Sequence, residues 1–292
     1  MLPIISIDER LKETKGIKGC IFGQSGIGKT SLLWTLSEDK TLFIDLEAGD
    51  LPVKQWKGDS LRPTTWQGLR DLAVFIAGFN PTLEKAEVIK KSNVIKDEDE
   101  DEYIPYSKKH YDLVCKRFGD PKQLDKYATI FIDSISQAST LSFRYCEQQP
   151  EARARSGSID LRNVYGLHAK EMLDWVKHLQ KARDKNIWFV GILDKKFDDY
   201  NIPTYSFQIE GLKTGLELAG IVDEILIMKP VIDEKDSSKT VRRFVCQTNN
   251  IEGLPAKDRS GALELYEKPH LGYIMKKIIN SPRPTANSFT YN

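Results

Sequence analysis

Cysteine is scarce in this chain: four thiols, at Cys20, Cys115, Cys146 and Cys246, with no C-x-x-C pair among them. That spacing excludes a zinc cage and a disulfide framework and fits reduced thiols. An excess of charge of one sign is also missing. With 43 Lys and Arg against 42 Asp and Glu, the formal net charge is +1. Nucleic acid therefore meets no global attraction, and a basic surface has to be local. No apolar run approaches the ~20 residues of a membrane span. The amino terminus shows no signal-peptide pattern, so a cytoplasmic protein without membrane contact is expected. Internal repeats and a linker dividing two cores are absent as well, and a single domain is the economical reading of 292 residues.

What is present is an ordinary globular composition, 40% hydrophobic and 29% charged, around one distinctive stretch. Lys18 to Ser37 reads KGCIFGQSGIGKTSLLWTLS. A short apolar run (Cys20, Ile21, Phe22) leads into a G-x-x-x-x-G-K-[ST] loop, and a helical pattern with Leu32, Leu33 and Leu36 on one side follows. Strand, loop and helix in that order form the context a phosphate-binding loop requires. Its glycines let backbone N–H groups turn inward onto phosphate oxygens, and the helix start adds a positive dipole end. The motif predicts nucleotide binding by Gly23, Gln24, Ser25, Gly26, Ile27, Gly28, Lys29, Thr30 and Ser31. Lys29 is expected to reach the β/γ-phosphates of ATP, and the Thr30 hydroxyl to ligate Mg²⁺.

The remaining chain alternates strand-like and helix-like segments, which predicts a parallel sheet built from βαβ units. Residues 1–16 read as an edge strand or a docking arm. Thr41 to Glu47 (TLFIDLE) is a strand ending in acids, and Leu51 to Pro63 a polar connection. Helical spacing marks Gln67 to Phe79, Ser136 to Cys146 and Val164 to Lys181. The region 80–126 reads as an insertion, with the acidic run Asp97 to Glu102 a solvated segment and an amphipathic piece at Tyr111 to Phe118. Tyr127 to Ser134 (YATIFIDS) matches a Walker B strand buried on both faces, with Asp133 in the Mg²⁺ shell. Asn186 to Leu193 is another buried strand, Leu216 to Ala219 a short helix, and Val222 to Met228 pairs with Arg242 to Thr248. The 281–292 tail is expected to be disordered.

With GQSGIGKT, FIDLEAGD and FIDSISQAS in this order, the chain resembles a RecA-type recombinase core, particularly compact ATP-binding phage proteins of single-strand annealing. The likeness covers roughly residues 17–270 without the 80–126 stretch. It implies an α/β, RecA-like P-loop NTPase: a mostly parallel central sheet flanked by helices, with antiparallel C-terminal strands, over residues 17–280. It further implies an Mg²⁺-dependent ATPase stimulated by DNA and acting in phage or prophage recombination or annealing. Glu47 stands where the family activates the attacking water, and Asp50 where it contacts adenine. Leu254 to Gly261 (LPAKDRSG) resembles the late basic motif that reaches a neighbouring subunit's γ-phosphate, which implies a homo-oligomer with Lys257 and Arg259 acting in trans. Loops 148–163 and 195–213 occupy the positions of the two DNA-contacting loops. The first offers Arg153, Arg155 and Arg162; the second interleaves Lys195, Lys196 and Lys213 with Phe197, Tyr200, Tyr205 and Phe207, a composition suited to single-stranded DNA. A departure lies at the amino terminus, where at most sixteen residues precede the first core strand. A hexameric helicase-like motor, or an ATP-gated protein adaptor with little hydrolysis, is the competing expectation.

Overall fold

A computed structural model describes residues 4–13, 15–84, 95–96, 102–233 and 235–281. The first element is a helix, α1 (Ile7–Lys12), not the edge strand that was one of two expectations. Ser6 and Glu9 close a capping box on it, satisfying backbone donors that a strand would have used in a ladder. Strand β1 (Lys18–Gly23) is buried at every position.

After the phosphate loop the chain takes a 3-10 turn, Thr30–Thr35, where an α-helix was expected. Only residues 30–40 connect the loop to β2 (Thr41–Asp45), and they must travel back along a whole strand. A 3-10 segment rises about 2.0 Å per residue against 1.5 Å for an α-helix, so the tighter winding spans the distance. Leu32, Leu33 and Leu36 still face inward as the spacing predicted.

The supposed polar connection carries β3 (Asp59–Leu61), which pairs with β2. Next come α2 (Trp66–Ala77), the two-residue strands β4 (Ile95–Lys96) and β5 (Glu102–Tyr103), α3 (Lys108–Phe118), β6 (Thr129–Asp133) and α4 (Ile135–Gln148). Of the acidic run, residues 97–101 lie outside the described residues, as does the tail from 282. Helix α5 (Leu161–Leu179) begins inside the first expected loop. Strand β7 (Asn186–Phe197) overruns its predicted end and folds back on β8 (Pro203–Phe207), turning most of the second expected loop into a hairpin. The chain ends with α6 (Leu212–Ile221), β9 (Glu224–Ile232), β10 (Thr240–Val245), β11 (Lys257–Asp258), β12 (Tyr266–Glu267) and α7 (Leu271–Asn280), the last not anticipated.

The main sheet runs β12-β10-β9-β1-β7-β6-β2-β3, with β11 added to β9 and β8 to β7. From β9 to β3 the pairings are parallel, whereas β10 to β12 pair antiparallel. Both faces are covered. Phe22, Ile132 and Phe189 pack with Leu69, Trp175 and Val176 of α2 and α5 on one side. Ile21, Phe131 and Val190 pack with Leu32, Leu33 and Leu271 on the other. Alternate residues of each strand thus serve opposite cores, which is why the strands read as unbroken apolar runs. The architecture is the expected one: a mostly parallel α/β sheet with antiparallel C-terminal strands.

Candidate functional site

Because β1, β2, β6 and β7 point the same way, the loops leaving them gather at one carboxyl edge, the usual ligand edge of such sheets. The phosphate loop leaves β1 there, with Gly26 at φ 76 and Gly28 at φ 95, in the left-handed region that favours glycine. Lys29 is buried and curls back to donate to the carbonyls of Gly23 (3.0 Å) and Gln24 (2.9 Å). Burial lowers its pKa, opposed by the charges of Asp133 and Glu47.

Thr30 and Asp133, 103 residues apart in sequence, meet directly: the Thr30 hydroxyl donates to Asp133 Oδ2 at 2.5 Å. Burial pushes the Asp133 carboxyl up to about 6, opposed by that hydrogen bond and helped by the charge of Glu47. A hydroxyl and a carboxylate oxygen side by side form a hard donor set that fits Mg²⁺.

Glu47 joins this group through Ser134, whose hydroxyl donates to Glu47 Oε1. Ser134 also caps α4 by accepting from Gln137 N at 3.1 Å. Two residues the sequence reading passed over hold the turn that carries Glu47. Asp45, in register with Asp133 across β2 and β6, accepts from Glu47 N (3.2 Å) and Gly49 N (3.3 Å) through Oδ1. Arg62 approaches the other oxygen of Asp45 at 3.5 Å and pairs with Asp50 as well. The signal for Asp45 was present, since both strands read Phe-Ile-Asp. Asp50 is occupied by Arg62 and half exposed.

Arg242, also unforeseen, leans on the phosphate loop: a Cβ on Gly28 would lie 2.6 Å from Arg242 Nη1. Lys257 and Arg259 lie elsewhere. They sit by the amino-terminal end of β9, paired antiparallel to Ile225 and its neighbours. Lys257 Nζ donates to the carbonyls of Ala219 (2.7 Å) and Val222 (2.8 Å). Arg259 donates to Gly220 O (2.9 Å) and Asp223 Oδ1 (2.9 Å). The expected finger pair therefore satisfies the orphan carbonyls at the end of α6 within its own chain, because a helix end needs such donors.

A cleft of about 1150 Å³ adjoins the edge, lined by Glu47, Gln137, Thr140, Tyr165, Lys196 and Phe207 among others. It brings Glu47 together with the β7–β8 hairpin. Of the hairpin aromatics, Phe197 and Tyr200 are exposed, but Phe207 stacks on Phe22 of β1 with ring centres 3.9 Å apart. Phe207 is thus committed to packing and is not free for a base. Arg153, Arg155 and Arg162 are exposed and form no ion pair among the described residues.

No curated protein matches the sequence. Among solved structures, the chain is similar to the RadB recombinase, at 12% identity and a TM-score of 0.34, covering 84% of this chain and 92% of that one. It is also similar to an ATPase from the type III secretion system of pathogenic bacteria, at 11% identity and a TM-score of 0.37. That likeness covers 74% of this chain and 51% of the ATPase, about half its length. The family model for the AAA domain matches residues 15–260, so the chain belongs to that family and carries its P-loop ATPase core.

Proposed function

We propose that this chain binds ATP with Mg²⁺ at the carboxyl edge of its sheet, hydrolyses it, and couples the cycle to single-stranded DNA in phage or prophage recombination or annealing. One observation carries the reading: Thr30, Asp133, Ser134 and Glu47, from three separate stretches, form one hydrogen-bonded group beside Lys29. Lys29 leaves the Gly23 and Gln24 carbonyls and donates to phosphate oxygens. Thr30 and Asp133 hold Mg²⁺, whose chemistry when bound is neutralisation of phosphate charge. Glu47, fixed by Ser134 and by the turn that Asp45 ties down, accepts a hydrogen bond from the attacking water and orients it. Asp50 is proposed near the adenine. The homo-oligomer belongs to the same proposal, although a neighbour's Lys257 and Arg259 would first have to release α6.

Support for the DNA partner comes from the exposed Arg153, Arg155 and Arg162 and from Phe197 and Tyr200 with their lysines. Lys195 stands 5.0 Å over the Phe197 ring, an arrangement suited to backbone and base together. The test is the ATPase rate with and without single-stranded DNA, titrated over salt, in the wild type and in Glu47→Gln. The expected result is stimulation that fades as salt rises, and a variant that binds ATP but turns over about 10²–10⁴-fold more slowly. No DNA effect at low salt removes the recombination reading, and normal turnover in Glu47→Gln removes that residue from the mechanism.

A further inference from the structure

Arg242 belongs to no motif, yet the sheet register delivers it to the phosphate loop. Gly23, the last residue of β1, lies level with Met228 of β9. On the far side of β9, Met228 pairs with Phe244 and Pro230 with Arg242. Strand β9 runs on past the end of β1, and β10 returns alongside it, so Arg242 stands two residues beyond the point where the phosphate loop begins. Residues two apart on a strand share a face. Phe244 packs with Leu32 and Leu33, the side chains that follow the loop. Arg242 therefore projects on the loop's own side of the sheet.

The contact that results is with Gly28. A Cβ there would meet Arg242 Nη1 at 2.6 Å and Cζ at 3.1 Å. The guanidinium has no hydrogen bond or ion pair among the described residues, and its partner across the hairpin is Pro230, which offers it no charge. A second cation, Lys29, belongs to the same loop, and the loop's geometry gathers backbone N–H groups as well. A phosphate seated in the loop is attracted by both cations.

We infer that Arg242 binds the phosphate tail of a nucleotide held in its own chain, closing the phosphate loop from the side of β10. The inference rests on the nucleotide-binding reading above. A planar guanidinium suits this place because it offers paired donors to phosphate oxygens while keeping its charge at any working pH. Its contribution is to affinity for the phosphates rather than for the base.

The test is titration calorimetry of the full chain with Mg²⁺ and ATP or ADP, with sodium pyrophosphate as a competitor that has no base. Wild type, R242A and R242K are compared. R242A is expected to bind ATP and ADP about tenfold to a hundredfold more weakly, and pyrophosphate competition is expected to weaken alongside. R242K recovers part of the loss, as a point charge without the fork. Arg242 is exposed, so the melting temperature of R242A without nucleotide stays at the wild-type value while its upward shift on adding ATP shrinks. Unchanged ATP affinity in R242A overturns the inference and leaves the function reading intact. Weakened ATP binding with undiminished pyrophosphate competition also overturns it, by moving the contact to the base or ribose. A wild-type chain that binds no ATP removes the function reading, and this inference with it.

Discussion

The two ends of the sheet handle buried charge in different ways. At the amino edge Lys18 donates to the carbonyls of Gly16 (3.2 Å) and Lys185 (2.7 Å), and Lys185 to those of Leu124 (3.1 Å) and Tyr127 (3.0 Å). Lys257 and Arg259 do the same for the end of α6. These carbonyls end loops and helices, and only Leu124 O has a second donor, Tyr127 N, so each cation completes a local structure. At the carboxyl edge Lys29 also sits on two carbonyls, but its surroundings are uneven. One oxygen of Asp45 is buried without a hydrogen bond, Arg242 lacks a counter-ion among the described residues, and burial raises the pKa of Asp133 to about 6. The cations of the amino edge find their partners within the chain; those of the carboxyl edge are arranged for something added.

Substituting one lysine from each edge tests that contrast most strongly. Lys29→Ala is expected to cut ATP hydrolysis per folded chain by at least ~10²–10³-fold, alongside a stability loss of about 1–3 kcal/mol from the two carbonyls it leaves. Lys257→Ala should cost a similar amount of stability by leaving two carbonyls without a donor, but leave the hydrolysis rate per folded chain unchanged at concentrations that keep the chain monomeric. Denaturant unfolding alongside a coupled ATPase assay reads both. If Lys257→Ala keeps its stability and loses turnover, the pair acts across a subunit boundary and the contrast fails.

A smaller effect sharpens the comparison, because the amino edge also holds an acid it cannot ionise cheaply. Glu224 is buried, with one oxygen unpartnered and the other near Ser260 N (3.3 Å). Burial, with Asp258 beside it, pushes its pKa up to about 9 from 4.5. The folded chain therefore keeps a proton that the unfolded chain releases, and this linkage drains stability as pH rises from about 4.5 to 9. Glu224→Gln, neutral throughout, should match the wild type near pH 4 and exceed it by on the order of 1–3 kcal/mol at pH 8. Melting curves across that range check it; parallel pH profiles would show that Glu224 ionises without cost.

What sequence made legible follows from how local each signal was. The phosphate loop is contiguous and its glycines are needed for its own turn, so Gly23 to Thr30 could be placed unaided. Asp133 and Glu47 were readable because one closes a buried strand and the other follows one by two residues, and the βαβ order dictates the direction of both strands. The capping box at Ser6 and Glu9 was equally local and should have decided the first element as a helix. The contacts that Lys257 and Arg259 make within their own chain were not legible, since most of them go to carbonyls 35–39 residues away, which carry no side-chain signature. Arg242 was hidden for a related reason. Among the residues of TVRRFV, only the register against Pro230 tells which arginine overlooks the loop.

Strand β7 lies between β1 and β6, and its placement fixes a dimension of the reaction space. With neighbouring strands ~4.8 Å apart, the roots of the phosphate loop and of Asp133 stand about two such steps, ~9.6 Å, from each other. The Thr30–Asp133 contact exists because the loop arches across the intervening strand, so the span beneath that arch is set by backbone spacing and not by side-chain size. Substitutions can therefore alter the charge lining the site, but its width belongs to the order of the strands.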